Sequence, residues 1–415
     1  MQLVIAIPGT AFSQPLDAAQ SLLRPVCGMP LLTRILTTAV RSGTDNVILM
    51  WPQSVPSWIQ KEAMSSPLLR HLRVVALPLN EDFDPTKASG WEAIERHLAP
   101  EFLWTPWNWV TVKQTLSGLQ AQSMETVDWK TPVLIDLRLK PNIDDLPIDT
   151  HAPEGIAVIS RNTAREAEWY LVRRAGKVSD GIYSSFNRYL CRPEVRWLSH
   201  TRVTPNVVSF GGLFVALLSS LFFMHGFYWS DVVGALLYFV AGLFDEMDGM
   251  LARLKFMDSP FGCWLEGFID ALTYLLLFCG IAIGLSRHHP RMGLWLGIAL
   301  LVGTTLALII TMRQRKHAAP SERPQEYLGN FYALLERDKS NGISKIVRPI
   351  QHYERRGVLI HYLLIFTVCG GLWEFFFLAT LGSHLTWILA LYFDRRFFRR
   401  GYKMSQLPNA NRVES

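Results

Sequence analysis

DEMDGMLARLKFMDSPFGCWLEGFID, residues 245–270, sets four carboxylates at the ends of two strongly apolar segments. They are Asp245, Asp248, Glu266 and Asp270. An acidic side chain at the centre of a membrane helix costs about 2.5–3.5 kcal/mol on insertion scales. Four acids facing one another repel unless a cation neutralises them, and metal ions do so through carboxylate oxygens. Asp245 and Asp248 stand i,i+3 and Glu266 and Asp270 i,i+4, so each pair shares one helix face. Gly249 and Ala252 lie close to the face of the first pair, where a missing side chain lets a ligand approach the backbone. Arg253 adds a fixed positive charge. The structural alternative is a salt-bridged helix end that holds no ligand.

This pattern resembles the CDP-alcohol phosphotransferase family, whose motif is D-x2-D-G-x2-A-R-x8-G-x3-D-x3-D. Here it runs Asp245, Asp248, Gly249, Ala252, Arg253, Gly262, Glu266, Asp270, with Glu266 where the family has Asp. The added methylene moves a ligand oxygen by about 1 Å, from covalent geometry. The resemblance implies transfer of a substituted phosphate from a CDP-alcohol to an acceptor hydroxyl, with release of CMP. It implies Mg²⁺ or Mn²⁺ held by Asp245, Asp248, Glu266 and Asp270. Asp270 is then also the general base, and Gly249, Ala252, Arg253, Gly262 and Asn206 line the CDP pocket. CDP-diacylglycerol is one candidate donor. Arg313 and Arg315, with Arg355 and Arg356, are candidates for a phosphorylated acceptor, against the alternative that they only mark membrane topology. The family also implies six spans and a homodimer.

The 415 residues divide by composition. Up to about Arg202 charge and apolar residues mix as in a soluble domain; from Val203 long apolar runs dominate. Spans are expected near 206–224, 228–246, 262–285, 292–312, 357–372 and 375–393. The basic flanks Arg253 and Lys255, Arg313 to Lys316, and Arg395 to Lys403 fall on one side, which the positive-inside rule makes cytoplasmic. The expected location is the inner membrane, with the N-terminal domain in the cytoplasm. The net charge of +6 reads as affinity for anionic lipid headgroups and not for nucleic acid. The N-terminus MQLVIAIPGT lacks the basic region and apolar length of a signal peptide. The five cysteines show no metal spacing and fit a reduced compartment.

Within the N-terminal part, strands are expected at 2–8, 46–51, 71–79, 131–139 and 154–160, with a helix over 30–43. That alternation predicts an α/β domain with a mostly parallel sheet. Residues 22–50 resemble the start of sugar-nucleotidyltransferases through Arg24, Pro25, Gly28 and Pro30, with Asp136 where such enzymes hold a metal-binding Asp. Their Gly-rich phosphate loop is replaced by PGTAFSQPL, which has one glycine and no basic residue. The domain order resembles that of bifunctional inositol-phosphate cytidylyltransferase/di-inositol-phosphate-phosphate synthases. EAEWYLVRRAGKVSDGIYSSFNRYL (166–190), followed by VTPN (203–206), resembles the amphipathic helix and T-P-N start of the first span in that family. Trp169, Tyr183, Tyr189 and Trp197 suit an interfacial segment.

The expected architecture is therefore a degenerate nucleotidyltransferase-like (Rossmann-like) α/β domain over 1–162 and a juxtamembrane segment over 163–202. A six-helix all-α transmembrane domain over 203–403 and a polar tail over 404–415 complete it. Besides the membrane phosphotransferase, two readings stand: a bifunctional enzyme that makes its own CDP-alcohol, and a non-catalytic membrane binding or scaffold protein.

Overall fold

The computed structural model describes residues 1–8, 11–12, 14–79, 83, 85, 91, 94–120, 130–136, 154–176, 182–318, 331, 334–335, 342–344, 347 and 356–398. Gly9, the Lys177–Gly181 stretch, Arg355 and the tail over 404–415 lie outside the described residues. Contacts divide the chain into two compact units. The first is Met1–Ala175, Arg196–Arg202 and Leu254–Phe256; the second is Gly176–Val195, Val203–Arg253 and Met257–Ser415.

The first unit runs β1 (Gln2–Ala6), α1 (Pro15–Leu22), β2 (Pro25–Val26), β3 (Met29–Pro30), α2 (Leu31–Arg41), β4 (Asn46–Pro52), α3 (Ser57–Met64) and β5 (Arg73–Leu79). It continues with β6 (Glu101–Trp104), β7 (Trp109–Val110), α4 (Lys113–Gln120), β8 (Val133–Asp136), β9 (Ile156–Ala157) and α5 (Arg161–Arg174). The main sheet has the order β5-β4-β1-β6-β8. β1 lies parallel to β4 and β6, β4 parallel to β5, and β8 antiparallel to β6. Consecutive residues Leu3, Val4 and Ile5 of β1 are all fully buried, as a parallel strand covered on both faces requires. On one face Val4, Ala6, Ile48, Met50, Phe102 and Trp104 interdigitate at the period of two that a strand imposes. The expected α/β domain with a mostly parallel sheet is thus observed.

Two details differ from the sequence reading. The expected strand over 154–160 shrinks to Ile156–Ala157, which pairs antiparallel with Trp109–Val110 outside the main sheet. Ser160 cuts it short. Its Oγ accepts from Thr163 N at 3.2 Å and its N–H donates to Thr163 Oγ1 at 2.9 Å, a capping box that starts α5. In its place, the four residues EFLW between Pro100 and Pro106 supply the inner strand β6.

The second unit contains α6 (Ile182–Ser199, whose last turn belongs to the first unit), α7 (Pro205–Phe223), α8 (Tyr228–Leu254, likewise ending in the first unit) and α9 (Pro260–His288). α10 (Pro290–Ala318), α11 (Arg356–Val368) and α12 (Leu372–Phe393) follow. α6 buries Asn187, Cys191 and Val195 at i,i+4 spacing and exposes Phe186, Tyr189, Leu190 and Trp197, so it is amphipathic as expected. Among the described residues, four helices are long and apolar enough to cross a membrane: Pro205–Phe223, Pro260–His288, Pro290–Gln314 and Leu372–Phe397. α8 and the short apolar Val358–Val368 occupy the other two expected places. α8 runs on past the expected end at 246 to Leu254 and carries the acidic residues as part of one continuous helix.

α7 is the strut that organises its neighbours. Ser219 Oγ donates to Gly234 O of α8 at 2.7 Å, and Ser220 Oγ donates to Leu276 O of α9 at 2.6 Å. Gly280 and Gly284 of α9 form a G-x-x-x-G face against it. A Cβ on Gly280 would stand 2.5 Å from Ser220 O, and one on Gly284 would collide with Phe223 O. Without side chains at these points the two backbones meet closely, the usual device where no hydrophobic effect drives helices together. Phe223, Tyr238, Leu277, Ile281 and Phe376 fill the shared core.

Candidate functional site

The site is assembled at one end of the α7, α8 and α9 group. Near the start of α7, Ser209 donates its hydroxyl to the carboxylate of Asp248, which is 5% exposed. Asn206 Oδ1, one turn earlier, stands 3.9 Å from the place a Cβ would take on Gly262 at the start of α9. The N-terminus of α7, the C-terminal turns of α8 and the N-terminus of α9 therefore share one level.

Two electrostatic neighbourhoods link α8 and α9. Arg253 feels the like charge of Arg188 and the opposite charges of Glu266, Glu246 and Asp248, and Tyr274 feels the charge of Asp245. Position numbers rise along α8 as their partners' numbers fall along α9, the sense of an antiparallel hairpin. The guanidinium of Arg253 folds back over Gly249, where a Cβ would stand 3.5 Å from Nη1. A side chain at 249 would fill the space beside that cation.

The turn between the helices is built with care. Met257 N donates to Ala252 O at 2.8 Å with Phe256 in the left-handed region at φ 55°, a Schellman closure of α8. Ser259 then caps α9, its Oγ accepting from Gly262 N at 3.0 Å, with Pro260 in the first turn.

Two residues that motif reading overlooked are joined here. Arg188 of α6 donates Nε to Glu246 Oε2 at 2.7 Å, and the two side chains are only 11% and 13% exposed. Glu246 sits at a variable position of the motif, so spacing gave it no weight. Arg188 carried a signal, lying beside Asn187 in the 166–190 stretch that resembles the family's amphipathic helix. Ser209 carried none, being one serine in an apolar run.

The carboxylates do not close into a cage: among the described residues no group of three or more His, Cys, Asp or Glu sits in metal-holding geometry. The donor set is all oxygen, the chemistry that suits Mg²⁺ or Mn²⁺. Mg²⁺ commonly takes one or two carboxylates, several waters and substrate phosphates, so a full protein cage is not what it needs. Arg313 is exposed on α10, Arg355 lies outside the described residues, and Arg315 and Arg356 are described in backbone only. His361 packs against the rings of Tyr183 at 5.0 Å and Phe239 at 5.3 Å, a packing role.

In the first unit the position of the nucleotidyltransferase lysine is spent on structure. Arg24 donates Nη1 to Ile159 O at 2.9 Å. Cys27 and Gly28 both take positive φ, 49° and 74°, making a two-residue turn between β2 and β3. A Cβ on Gly28 would collide with Ser199 O, so this glycine is required by close approach of backbone. Asp136 ends β8, opposite Glu101, with its backbone alone described.

Residues 202–339 match the CDP-alcohol phosphatidyltransferase family. The chain is similar to the bifunctional IPC transferase and DIPP synthase of Aquifex aeolicus (strain VF5), 24% identical over 247 residues that cover 59% of this chain and 50% of the relative. It is also similar to the archaetidylinositol phosphate synthase of Pyrococcus horikoshii, 31% identical over 87 residues, covering 21% of this chain and 45% of the relative. The chain spans about half the length of the curated relatives it matches. The crystal structure of Mycobacterium tuberculosis phosphatidylinositol phosphate synthase with CDP-DAG bound aligns at 19% identity and a TM-score of 0.32, over 51% of this chain and 92% of that one.

Proposed function

We propose that this protein is an integral membrane CDP-alcohol phosphotransferase whose reaction centre is the Asp245–Asp270 hairpin. The observation that carries the reading is that α7 meets both acidic helices, with Ser209 bonded to Asp248 of α8 and Asn206 Oδ1 3.9 Å from the Cβ position of Gly262 on α9. Asp245, Asp248, Glu266 and Asp270 would hold a divalent cation, which would supply neutralisation of the diphosphate oxygens and of the leaving CMP. Gly249, Ala252 and Gly262 leave room for the nucleotide to approach the backbone, beside Asn206. Arg253, fixed above Gly249, binds phosphate. Asp270 takes the proton from the acceptor hydroxyl as it attacks phosphorus, and the product is a phosphodiester-linked alcohol.

The donor is a CDP-alcohol, with CDP-diacylglycerol the first to try, and the acceptor is a phosphorylated alcohol. The name of the archaetidylinositol phosphate synthase relative supports an inositol-phosphate acceptor. Six membrane helices over 203–403 follow a juxtamembrane segment over 163–202, in a homodimer of the cytoplasmic membrane. The domain over 1–162 faces the cytoplasm, and the basic flanks of the spans support that orientation. That domain is non-catalytic: Arg24 is tied to a backbone carbonyl and PGTAFSQPL has no phosphate-binding glycines.

The test is CMP release by the full chain in lipid nanodiscs from a panel of CDP-alcohols and hydroxyl acceptors, with Mg²⁺ and with EDTA. Mg²⁺-dependent CMP release with at least one pair supports the reading. Its absence across the panel leaves the binding or scaffold role.

A further inference from the structure

The three residues that end α8 and begin the turn, Leu254, Lys255 and Phe256, belong to the first unit, and each is held there by a different side chain or backbone group. Arg34 Nη2 donates to Leu254 O at 2.9 Å, Lys255 Nζ donates to Thr201 O at 2.8 Å, and Arg41 Nη2 donates to Phe256 O at 2.8 Å. The Arg34 guanidinium also lies 5.3 Å from the centroid of the Phe256 ring. Arg34 is 2% exposed, and its remaining bonds run to Val26 O at 2.9 Å and Cys27 O at 3.4 Å, on the turn between β2 and β3.

These contacts meet a specific need. The last carbonyls of a helix lack partners within it and carry the negative end of the helix dipole, so a guanidinium there is favourable. Phe256 occupies the left-handed position that glycine ordinarily fills at a helix end, where a Cβ and a bulky ring are disfavoured. Something outside the helix must keep it there. Two arginines from α2 do so, one on the carbonyl before the turn and one on the carbonyl within it.

We propose that Arg34 and Arg41 are positioning residues: they fix the Leu254–Phe256 turn and thereby the register in which the two carboxylate-bearing helices face each other. The α/β unit then contributes to the reaction as a clamp on the turn and not through a nucleotide site. Only Met257, Asp258 and Ser259 separate the clamped turn from α9. A change in the backbone at Phe256 is therefore passed to Glu266 and Asp270 as a change in the direction of their helix. This inference rests on the proposed reaction centre for its kinetic consequence, and on geometry alone for its structural one.

The experiment compares the full-length wild type with Arg41→Ala, Arg34→Lys and the double variant Arg41→Ala/Phe256→Gly. Arg41 is exposed, so its removal spares the core of the unit; lysine at 34 keeps the charge but loses the fork. Hydrogen exchange across 249–262 and the Mg²⁺ concentration for half-maximal CMP release are read together. Both single variants are expected to exchange faster there and to need about two- to tenfold more Mg²⁺, the fold-change of one lost hydrogen bond. Glycine at 256 takes the left-handed conformation without a clamp, so the double variant is expected to return towards wild type.

Unchanged exchange in both single variants overturns the clamp. Faster exchange with unchanged Mg²⁺ dependence overturns the positioning role. If the wild type releases no CMP from any donor, the proposed reaction fails, and the exchange measurement alone decides whether the turn is held as described.

Discussion

Ser209 on α7 donates its hydroxyl to Asp248 on α8, so a side chain outside the acidic motif orients one of the motif's carboxylates. Groups that orient a metal-binding carboxylate typically govern metal affinity by about 10–100-fold. Ser209→Ala is expected to raise the Mg²⁺ requirement for CMP release by about tenfold while leaving the fold intact. A Mg²⁺ titration of the variant checks this; an unchanged half-saturation removes Ser209 from the site.

The Arg188–Glu246 pair is nearly buried, and removing one partner leaves the other charge without compensation. Breaking such a pair costs about 3–5 kcal/mol, whereas replacing both partners by apolar residues is often neutral. Arg188→Ala should therefore lower the unfolding temperature in detergent markedly, and Arg188→Met/Glu246→Met should recover most of it. Equal losses in the two variants would show that the pair adds more than mutual compensation.

Close approach of α7 and α9 at Gly284 makes that position intolerant of growth. Overpacking costs typically about 1–3 kcal/mol, and here the obstacle is backbone, which cannot rotate away. Gly284→Ala is expected to destabilise the protein by that amount in thermal unfolding. Gly249→Ala, whose added Cβ meets only the Arg253 side chain at 3.5 Å, should leave stability nearly unchanged and impair donor binding.

The first unit should not transfer nucleotide. Arg24 is engaged with Ile159 O, and the segment after β1 offers one glycine. Full-length protein given CTP and alcohol phosphates is expected to form no CDP-alcohol. Formation of one with release of pyrophosphate would establish a second activity.

Spacing put the carboxylates in pairs on helix faces, and the helices that carry those pairs are observed, because helical period converts position into face. It also placed the helix at 30–43 and four of the five main-sheet strands. β6 escaped because EFLW is four residues enclosed by prolines, too short for alternation to show. The strand over 154–160 was overread because its apolar run leads into a capped helix, and Ser160 ends it. α8 is less apolar than a span because Asp231, Asp245, Glu246 and Asp248 interrupt it. Long-range partners were invisible in principle: Arg34 and Leu254 are 220 positions apart, and nothing local in the helix sequence LTRILTT marks which residue will reach a distant carbonyl.

The most direct test of the reaction centre is CMP release by the wild type, Asp270→Asn and Glu266→Ala under saturating donor, with and without EDTA. Release by the wild type should require the divalent cation. Asp270→Asn should lose about 10²–10⁴-fold in rate while still binding the CDP-alcohol, since the amide keeps the shape but cannot take the proton. Glu266→Ala should lose activity that added Mg²⁺ restores only in part. Full turnover in EDTA, or unchanged turnover and Mg²⁺ dependence in Glu266→Ala together with wild-type rates in Asp270→Asn, would contradict the assignment of this hairpin as the reaction centre.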